Sequence, residues 1–330
     1  MSHAVSPPTR AWILGPWWDA LLLANLAWPL VFLIACAGTG FDGRAGLQFW
    51  QINFVTTPHR WLTLLVVLLD RQRLRERPLV FAGIAAGVVA VCVGTLLTTG
   101  ALTCLLAVDY VWNAWHFAAQ HHGIYRLYLH RSGWRPTGGL AVDKLLLRGF
   151  LLYVTLRVAG GTWSLAELEV WLRRCDWLAP LAPVWLLIAE WRRPISVAAG
   201  GQLYLTSVCG LYLALLAAVH LQQPGLVLAL ATASALFHAV EYLALMGWSV
   251  QQRSAAHGDQ LGWLHWCAGA GAVLLLAYII AFGVGGWLIE QQWFEAWLLL
   301  NVIAAFLHYA YDGLIWRRPR QGVAASRGRA

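Results

Sequence analysis

Residues 79–98 read LVFAGIAAGVVAVCVGTLLT and contain no charged side chain. An α-helix of about 20 apolar residues is long enough to cross the hydrocarbon core of a bilayer. Arginines crowd the chain just before this stretch, at Arg71, Arg73, Arg75 and Arg77. The composition points the same way, because 60% of the 330 residues are hydrophobic and only 12% are charged. The stretch therefore predicts a membrane-spanning helix that begins at a basic surface.

Similar apolar runs along the chain predict an all-α, polytopic helical bundle with about ten transmembrane helices. The predicted spans cover residues 17–36, 47–69, 79–98, 101–128, 144–160, 177–191, 197–219, 224–248, 262–287 and 294–316. The span at 177–191 is short and contains Pro180 and Pro183, so it either crosses or re-enters. We expect a cytoplasmic N-terminal segment (1–16), a single transmembrane domain (17–316) and a basic cytoplasmic tail (317–330).

The distribution of charge between alternate loops predicts the orientation of the bundle. Ten spans place one set of basic residues on a single side: Arg71, Arg73, Arg75, Arg77, Arg126, Arg131, Arg135, Lys144, Arg148, Arg192, Arg193, Arg253, Arg317, Arg318 and Arg320. The opposite loops hold Asp42, Glu167, Glu169, Glu290 and Glu295. Because cytoplasmic loops are enriched in Lys and Arg, we expect both termini in the cytoplasm and a location in a bacterial inner membrane. The net charge of +8 therefore needs no nucleic-acid partner.

Six of the 11 histidines lie inside predicted spans, on four different helices. They are His59, His116, His121, His122, His238 and His308. At ~1.5 Å of rise per residue, all six lie at a similar depth in the cytoplasmic half of the bundle. Ionisable groups inside a membrane cost roughly 2.5–3.5 kcal/mol each on insertion scales, so they need partners. A bound cation is such a partner, and these six histidines are the predicted metal ligands.

Other polar residues share helix faces with these histidines. Glu241, Asp312 and Tyr242 are the predicted catalytic groups, and Asp109, Asn113, Gln120, Asn301 and Arg60 are predicted to support the ligands. Asp109 and Asn113 fit a helix–helix hydrogen-bond stripe equally well. We expect Arg60 to pair with a carboxylate, either Asp312 or Glu241. Mixed imidazole and carboxylate ligands suit non-haem iron, and imidazole also suits zinc.

His116 followed by Gln120-His121-His122 resembles a histidine box of the membrane fatty-acid desaturase and hydroxylase superfamily. Proteins of that superfamily hold two irons with such boxes, on the cytoplasmic side of a helical bundle. The resemblance implies a non-haem iron oxidoreductase with one or two iron ions. Its implied substrate is lipid-like and hydrophobic, reached near the cytoplasmic leaflet, and an electron donor would act at the cytoplasmic face.

Two alternatives follow from the same residues. The lone histidines with Ser234 and Asp312 also resemble the zinc hydrolases of the alkaline ceramidase and progestin-receptor-like type. This second resemblance implies zinc and the hydrolysis of a lipid amide or ester. The other alternative is not enzymatic: the polar stripes would line a path for protons, metal ions or a small solute, or histidine pairs would ligate haem. Membrane lipids are partners in every case.

Overall fold

The computed structural model describes residues 11–37, 47–134, 139–160 and 166–316. Of these described residues, 89% are helical and none lies in a strand. The predicted all-α architecture is confirmed for this part of the chain. Residues 1–10 of the predicted N-terminal segment and the whole predicted tail at 317–330 lie outside the described residues, as do Asp42 and Arg135.

The described helices are named here in chain order. The first half forms α1 (Trp28–Cys36), α2 (Thr57–Leu69), α3 (Arg71–Glu76), α4 (Pro78–Thr99), α5 (Thr103–Arg131) and α6 (Leu140–Gly160). The second half forms α7 (Ala166–Leu178), α8 (Leu181–Trp191), α9 (Ile195–His220), α10 (Pro224–His257), α11 (Trp263–Gly269), α12 (Gly271–Gln292) and α13 (Phe294–Ile315). Shorter elements are the turn Pro16–Trp18 with the π turn Asp19–Leu23 before α1, Leu47–Gln51 with the π turn Ile52–Thr56 before α2, and the 3₁₀ turn Gly258–Leu261 after α10.

Seven of the described segments are long and apolar enough to cross a membrane: Pro16–Ile34, Phe49–Leu69, α4, α9, α10, α12 and α13. The other three predicted spans correspond to α5, α6 and α8. Helices α5 and α6 have 29 and 21 residues but are less apolar, because α5 carries the polar stripe and α6 carries Asp143, Lys144, Arg148 and Arg157. Helix α8 has only 11 residues.

Contacts with α9 show how the short predicted span at 177–191 runs. At one end, Asp176 Oδ2 lies 3.0 Å from Nδ1 of His220, the last residue of α9. At the other end, Gln202 Nε2 donates to the backbone oxygens of Glu190 and Arg193, at 3.2 and 3.0 Å. The segment is thus antiparallel to about 18 residues of α9, roughly 27 Å of helix. The segment therefore runs along most of α9 in one direction.

Four helices pack around a common centre and form what we call the four-helix ring. Helix α13 packs against α2 and α5, and α10 packs against the same two helices. Only 11% of the residues in the apolar windows of α4 and α12 are buried, against 56% in those of α10 and α13. Helices α4 and α12 therefore lie at the periphery, where lipid would surround them, and the ring is interior.

The π turn before α2 sets the position of the first ring histidine. Proline lacks a backbone N–H and cannot bond to the carbonyl four residues earlier, and the wider turn Ile52–Thr56 comes just before Pro58. Helix α12 supports this region closely. A Cβ on Gly283 would lie 2.5 Å from the ring of Phe54, and Tyr278 OH donates to the backbone oxygen of Pro58 at 2.8 Å. The close packing fixes where the next residue, His59, enters the ring.

The chain before α1 is tied to the ends of α5 and α9. The buried carboxylate of Asp19 accepts hydrogen bonds from the backbone N–H of Ile13 at 2.7 Å and from Tyr128 OH at 2.9 Å. Gly200 lies against the same segment. A Cβ on this glycine would collide with the backbone oxygen of Ala11 and would lie 2.6 Å from the ring of Tyr128.

We expect Gly200→Ala to lower the stability of the protein by about 1–3 kcal/mol, because the added methyl group must displace backbone or an aromatic ring. Gly210→Ala on the same helix is the matched control, since its nearest neighbour would be Trp28 Cζ2 at 3.9 Å, an ordinary contact. Thermal unfolding in detergent measures both variants. Equal melting temperatures of the Gly200→Ala and Gly210→Ala variants would contradict the tight contact at Gly200.

A charged cluster joins α6, α7 and α9 at the opposite end of the bundle. Arg157 donates to both carboxylate oxygens of Glu169, at 2.6 and 2.9 Å, and to Asp176 at 3.2 Å. Tyr153 OH also donates to Asp176, at 2.6 Å. Burial raises the pKa of Asp176, but hydrogen bonds from Tyr153, His220 and Arg157 outweigh it and hold this pKa below its ordinary value. The cluster fixes α7 to this end of the bundle.

Candidate metal centre

Four buried histidines meet inside the four-helix ring, one from each helix. They are His59 of α2, His116 of α5, His238 of α10 and His308 of α13. Four pairs of these rings have centroids 4.7–5.3 Å apart and lie edge to face. The structure thus brings together four of the six histidines that the sequence placed at one depth.

Two overlapping groups of donor atoms lie in this cluster. His59, His238 and His308 offer three ring nitrogens within 4.8 Å of one another, and His116, His308 and Asp312 offer two nitrogens and a carboxylate oxygen within the same limit. The Nε2 atoms of His116 and His308 are 3.1 Å apart, and Asp312 Oδ2 lies 3.7 and 3.9 Å from them. Two nitrogens bound to one ion at about 2.0–2.1 Å would be about 2.9–3.4 Å apart. The observed separation is that of two nitrogens on a shared ion, and it is equally that of a hydrogen bond between the two rings.

His238 tests whether these residues fit a metal. Both of its ring nitrogens are buried and have no hydrogen-bond partner among the described residues. Its ring stacks on Phe117 with centroids 3.8 Å apart, while His59 and His116 lie edge to face with it. Leaving a buried polar atom unpaired costs about 1–3 kcal/mol. A metal ion among the histidines would satisfy such a nitrogen, so the donor set fits a bound transition metal.

A chain of hydrogen bonds contacts the Nδ1 side of the His308 ring and orients it. Tyr242 OH donates to Asp312 Oδ1 at 2.8 Å, and Thr63 Oγ1 lies 2.5 Å from Tyr242 OH and 2.6 Å from His308 Nδ1. Because the only hydroxyl hydrogen of Tyr242 is donated to Asp312, Tyr242 accepts from Thr63, and Thr63 in turn accepts the Nδ1–H of His308. The proton on Nδ1 leaves Nε2 with a free lone pair that faces His116. Metal-binding histidines usually donate their second N–H in this way.

Glu241 and His121 form a second pair beside the cluster. Glu241 Oε2 lies 3.3 Å from His121 Nδ1, which is also 2.9 Å from Tyr204 OH. Gln120 Nε2 donates to Glu241 Oε2 at 3.0 Å and to the backbone oxygen of His238 at 2.9 Å, and it joins the pair to the ring. His121 Nε2 and Glu241 Oε1 have no hydrogen-bond partner among the described residues. The pair is therefore placed to hold a proton near the histidine cluster.

His122 lies on another face of α5. Its charged neighbours are Arg126, Lys144 and Arg148, and it belongs to neither donor group. Successive helical residues point about 100° apart, so adjacent histidines face the same centre only where a helix unwinds. Helix α5 is continuous through Gly123. The structure does not bring His122 to the cluster.

Arg60 pairs with Asp109, with NH1 and Oδ2 3.9 Å apart. The expected pairing with Asp312 or Glu241 is wrong. Sequence periodicity placed Arg60 beside histidines but could not tell which neighbouring helix would face it. Asp312 and Glu241 instead keep the tyrosine, glutamine and histidine contacts described above.

Three of the predicted supporting residues make hydrogen bonds between helices: Asp109, Asn113 and Asn301. Tyr309 OH of α13 lies within hydrogen-bond distance of Asp109 Oδ1, at 3.0 Å, and of Asn113 Oδ1, at 3.1 Å. Trp61 Nε1 of α2 donates to Asn301 Oδ1 at 3.0 Å. Of the two alternatives for Asp109 and Asn113, these contacts favour the helix–helix stripe.

Three contributors to the cluster received no functional role from the sequence. Thr63 lies one turn after His59, and this i, i+4 spacing was the only signal for it. Tyr204 comes from α9, which carries no histidine within its span, and Phe117 looks like any apolar helix residue. Both enter through tertiary packing alone.

The fold and the site of the described residues together define a class: a helical protein with seven membrane-crossing candidates in that part of the chain and a buried cluster of four histidines and a carboxylate. Comparison of the chain with protein-family models, with curated proteins and with solved structures gives no significant match.

Proposed function

We propose that this protein is an intramembrane non-haem iron oxidoreductase, of the oxygenase, desaturase or hydroxylase kind, that acts on a lipid-like substrate. The observation that carries the proposal is the group His116, His308 and Asp312. Two histidines and one carboxylate around open positions are typical of non-haem Fe(II) oxygenases. His59 and His238 add donors from the two remaining helices of the ring, which gives enough ligands for one or two ions.

Bound iron would activate dioxygen. The protein would hold the ligands in place and exclude water from the site. The side chains of His59, His238 and His308 are almost fully buried, so bulk water is kept from a reactive centre. Thr63 and Tyr242 hold the proton of His308 on Nδ1. The Glu241–His121 pair is placed to take up or return a proton beside the substrate.

The proposed substrate is lipid-like because the ring is enclosed by apolar helices. Large apolar side chains are exposed on the peripheral helices, for example Leu79 and Leu97 of α4 and Val273 of α12. A substrate entering between helices would cross hydrocarbon before it reached the histidines. The proposed electron donor would dock on the arginine-rich face, where an acidic protein surface would be attracted.

The proposed topology has ten spans, both termini in the cytoplasm and a bacterial inner membrane as its location. Contacts between helix ends support the alternation on which it rests. Arg73 donates to the backbone oxygen of Ile315 at 3.4 Å, and Asp70 pairs with Arg253. The ends of α2, α10 and α13 therefore lie together, as the even number of spans requires. The cluster around Arg157 joins residues near the ends of α6 and α9. A count of ten spans assigns these helix ends to the opposite side of the membrane.

A zinc-dependent lipid amidase or esterase is the second candidate, and the group His59, His238 and His308 favours it. Three protein ligands with one open position are the usual catalytic arrangement for zinc. Ser234, which first suggested this class, donates to Tyr212 OH at 3.0 Å and contributes to neither donor group. Haem suits the cluster poorly, because rings in mutual contact leave no gap for a flat macrocycle between them.

Metal analysis of protein purified without chelators tests the proposal. We expect one or two equivalents of iron, because the ring offers five donors from four helices. One equivalent of zinc without iron would favour the hydrolase instead. Protein that contains neither metal, and that takes up neither when they are supplied, would overturn both candidates.

A further inference from the structure

A groove of about 840 Å³ lies at the end of α2 that is remote from the histidines. Residues of α2, α3 and α11 line it, among them two leucines, two arginines and two tryptophans: Leu68, Leu74, Arg71, Arg75, Trp263 and Trp266. The groove thus combines an apolar lining with two cationic groups. It shares no residue with the metal centre.

The two groove arginines differ from Arg73, which lies between them, in their contacts with the described residues. Neither guanidinium of Arg71 or Arg75 makes an ion pair or a hydrogen bond with another described residue, although Arg73 between them does. Arg73 Nε lies 3.2 Å from Asp70 Oδ2, and Arg253 bonds to the same buried carboxylate. Asp70 is therefore taken up by two other arginines, and Glu76 of the same helix accepts from Gln72 at 2.9 Å. Among the described side chains, no carboxylate pairs with the two groove arginines.

The depth of the groove is that of a membrane interface. It lies where the candidate span Phe49–Leu69 ends. Trp263 and Trp266 are 71% and 66% exposed there, and tryptophans concentrate at the level of lipid headgroups. Basic pockets between helices at the cytoplasmic side bind anionic headgroups. Charge, apolar lining and depth together match one ligand chemistry.

We propose that this groove binds the headgroup of an anionic phospholipid. The phosphate would lie between Arg71 and Arg75, and the acyl chains would follow Leu68 and Leu74 toward the hydrocarbon. The site is independent of the proposed oxidoreductase activity and would hold lipid even if that proposal failed.

Native mass spectrometry of the purified full chain with phosphatidylglycerol or phosphatidylcholine tests the site. Wild-type protein is expected to prefer phosphatidylglycerol by roughly 30-fold, since two basic residues each contribute to anionic-lipid binding. Arg71→Gln/Arg75→Gln is expected to lose this preference. Arg77→Gln is the matched control, because Arg77 belongs to the same arginine run but does not line the groove.

Two further arms keep the test decisive. If the double variant does not fold, as judged by its melting temperature in phosphatidylcholine, Trp263→Leu/Trp266→Leu replaces it. This second variant is expected to bind phosphatidylglycerol more weakly than wild type. His308→Ala should leave the lipid preference unchanged, which separates this site from the metal centre. Equal binding of both lipids by wild type, retained preference in the double variant, or displacement of the lipid by millimolar inorganic phosphate would overturn the proposal.

Discussion

Replacing His308 with alanine is expected to remove essentially all bound metal from the purified protein. His308 belongs to both donor groups, so its loss leaves each group with only two donors, His59 with His238 and His116 with Asp312. Catalytic sites for zinc or non-haem iron use three protein ligands. Loss of a supporting partner alone typically costs 10–100-fold in metal affinity, and loss of a shared ligand should exceed about 100-fold.

His122→Ala is the matched control for that variant. It removes a buried histidine from one of the same four helices, yet His122 faces Arg126, Lys144 and Arg148. We expect full metal content in this variant by elemental analysis. The histidine-box resemblance implies the opposite, because it makes His122 a ligand. Metal retained in His308→Ala and lost in His122→Ala would place the centre around the box and contradict the geometry described here.

The parts of the site that follow from helix geometry could be predicted from the sequence. The rise per residue is nearly constant in a helix, so distance from a span end placed His59, His116, His238 and His308 at one level before any packing was known. The prediction of His121 and His122 as ligands ignored the same regularity, because residues next to one another on a helix point about 100° apart, and neither histidine joins a donor group. His121 instead contacts Tyr204 and Glu241 beside the four-histidine cluster.

The parts that depend on which helices are neighbours could not be predicted. Periodicity gives the direction of a side chain around its own helix but not the partner across the gap. Arg60 therefore received the wrong carboxylate, because nothing in the sequence shows that α2 approaches Asp109 of α5. The short span at 177–191 was ambiguous for the same reason. Its course becomes clear only from the contacts of Asp176 and Glu190 with His220 and Gln202, which lie 18 residues apart on α9.

Thr63→Val is expected to lower metal affinity by about 10–100-fold, although Thr63 touches no metal. Valine keeps the shape of threonine but cannot accept the Nδ1–H of His308, which now bonds Thr63 at 2.6 Å. Without that acceptor, the imidazole is free to rotate or to carry its proton on Nε2. Thr63→Ser restores the hydroxyl and is expected to bind metal like wild type. Competition with a chelator at fixed pH measures all three proteins.

Tyr242→Phe breaks the same chain one bond later, because Tyr242 OH joins Thr63 to Asp312. If these hydrogen bonds act as one unit, the Thr63→Val/Tyr242→Phe double variant should bind metal only slightly more weakly than whichever single variant binds it less tightly. Groups in one hydrogen-bond network are expected to show such non-additivity. If the two substitutions instead cause independent packing defects, the fold-losses of metal affinity should multiply in the double variant. That result would mean that Thr63 and Tyr242 support the fold without orienting His308. The double variant therefore separates a positioning role from a structural one.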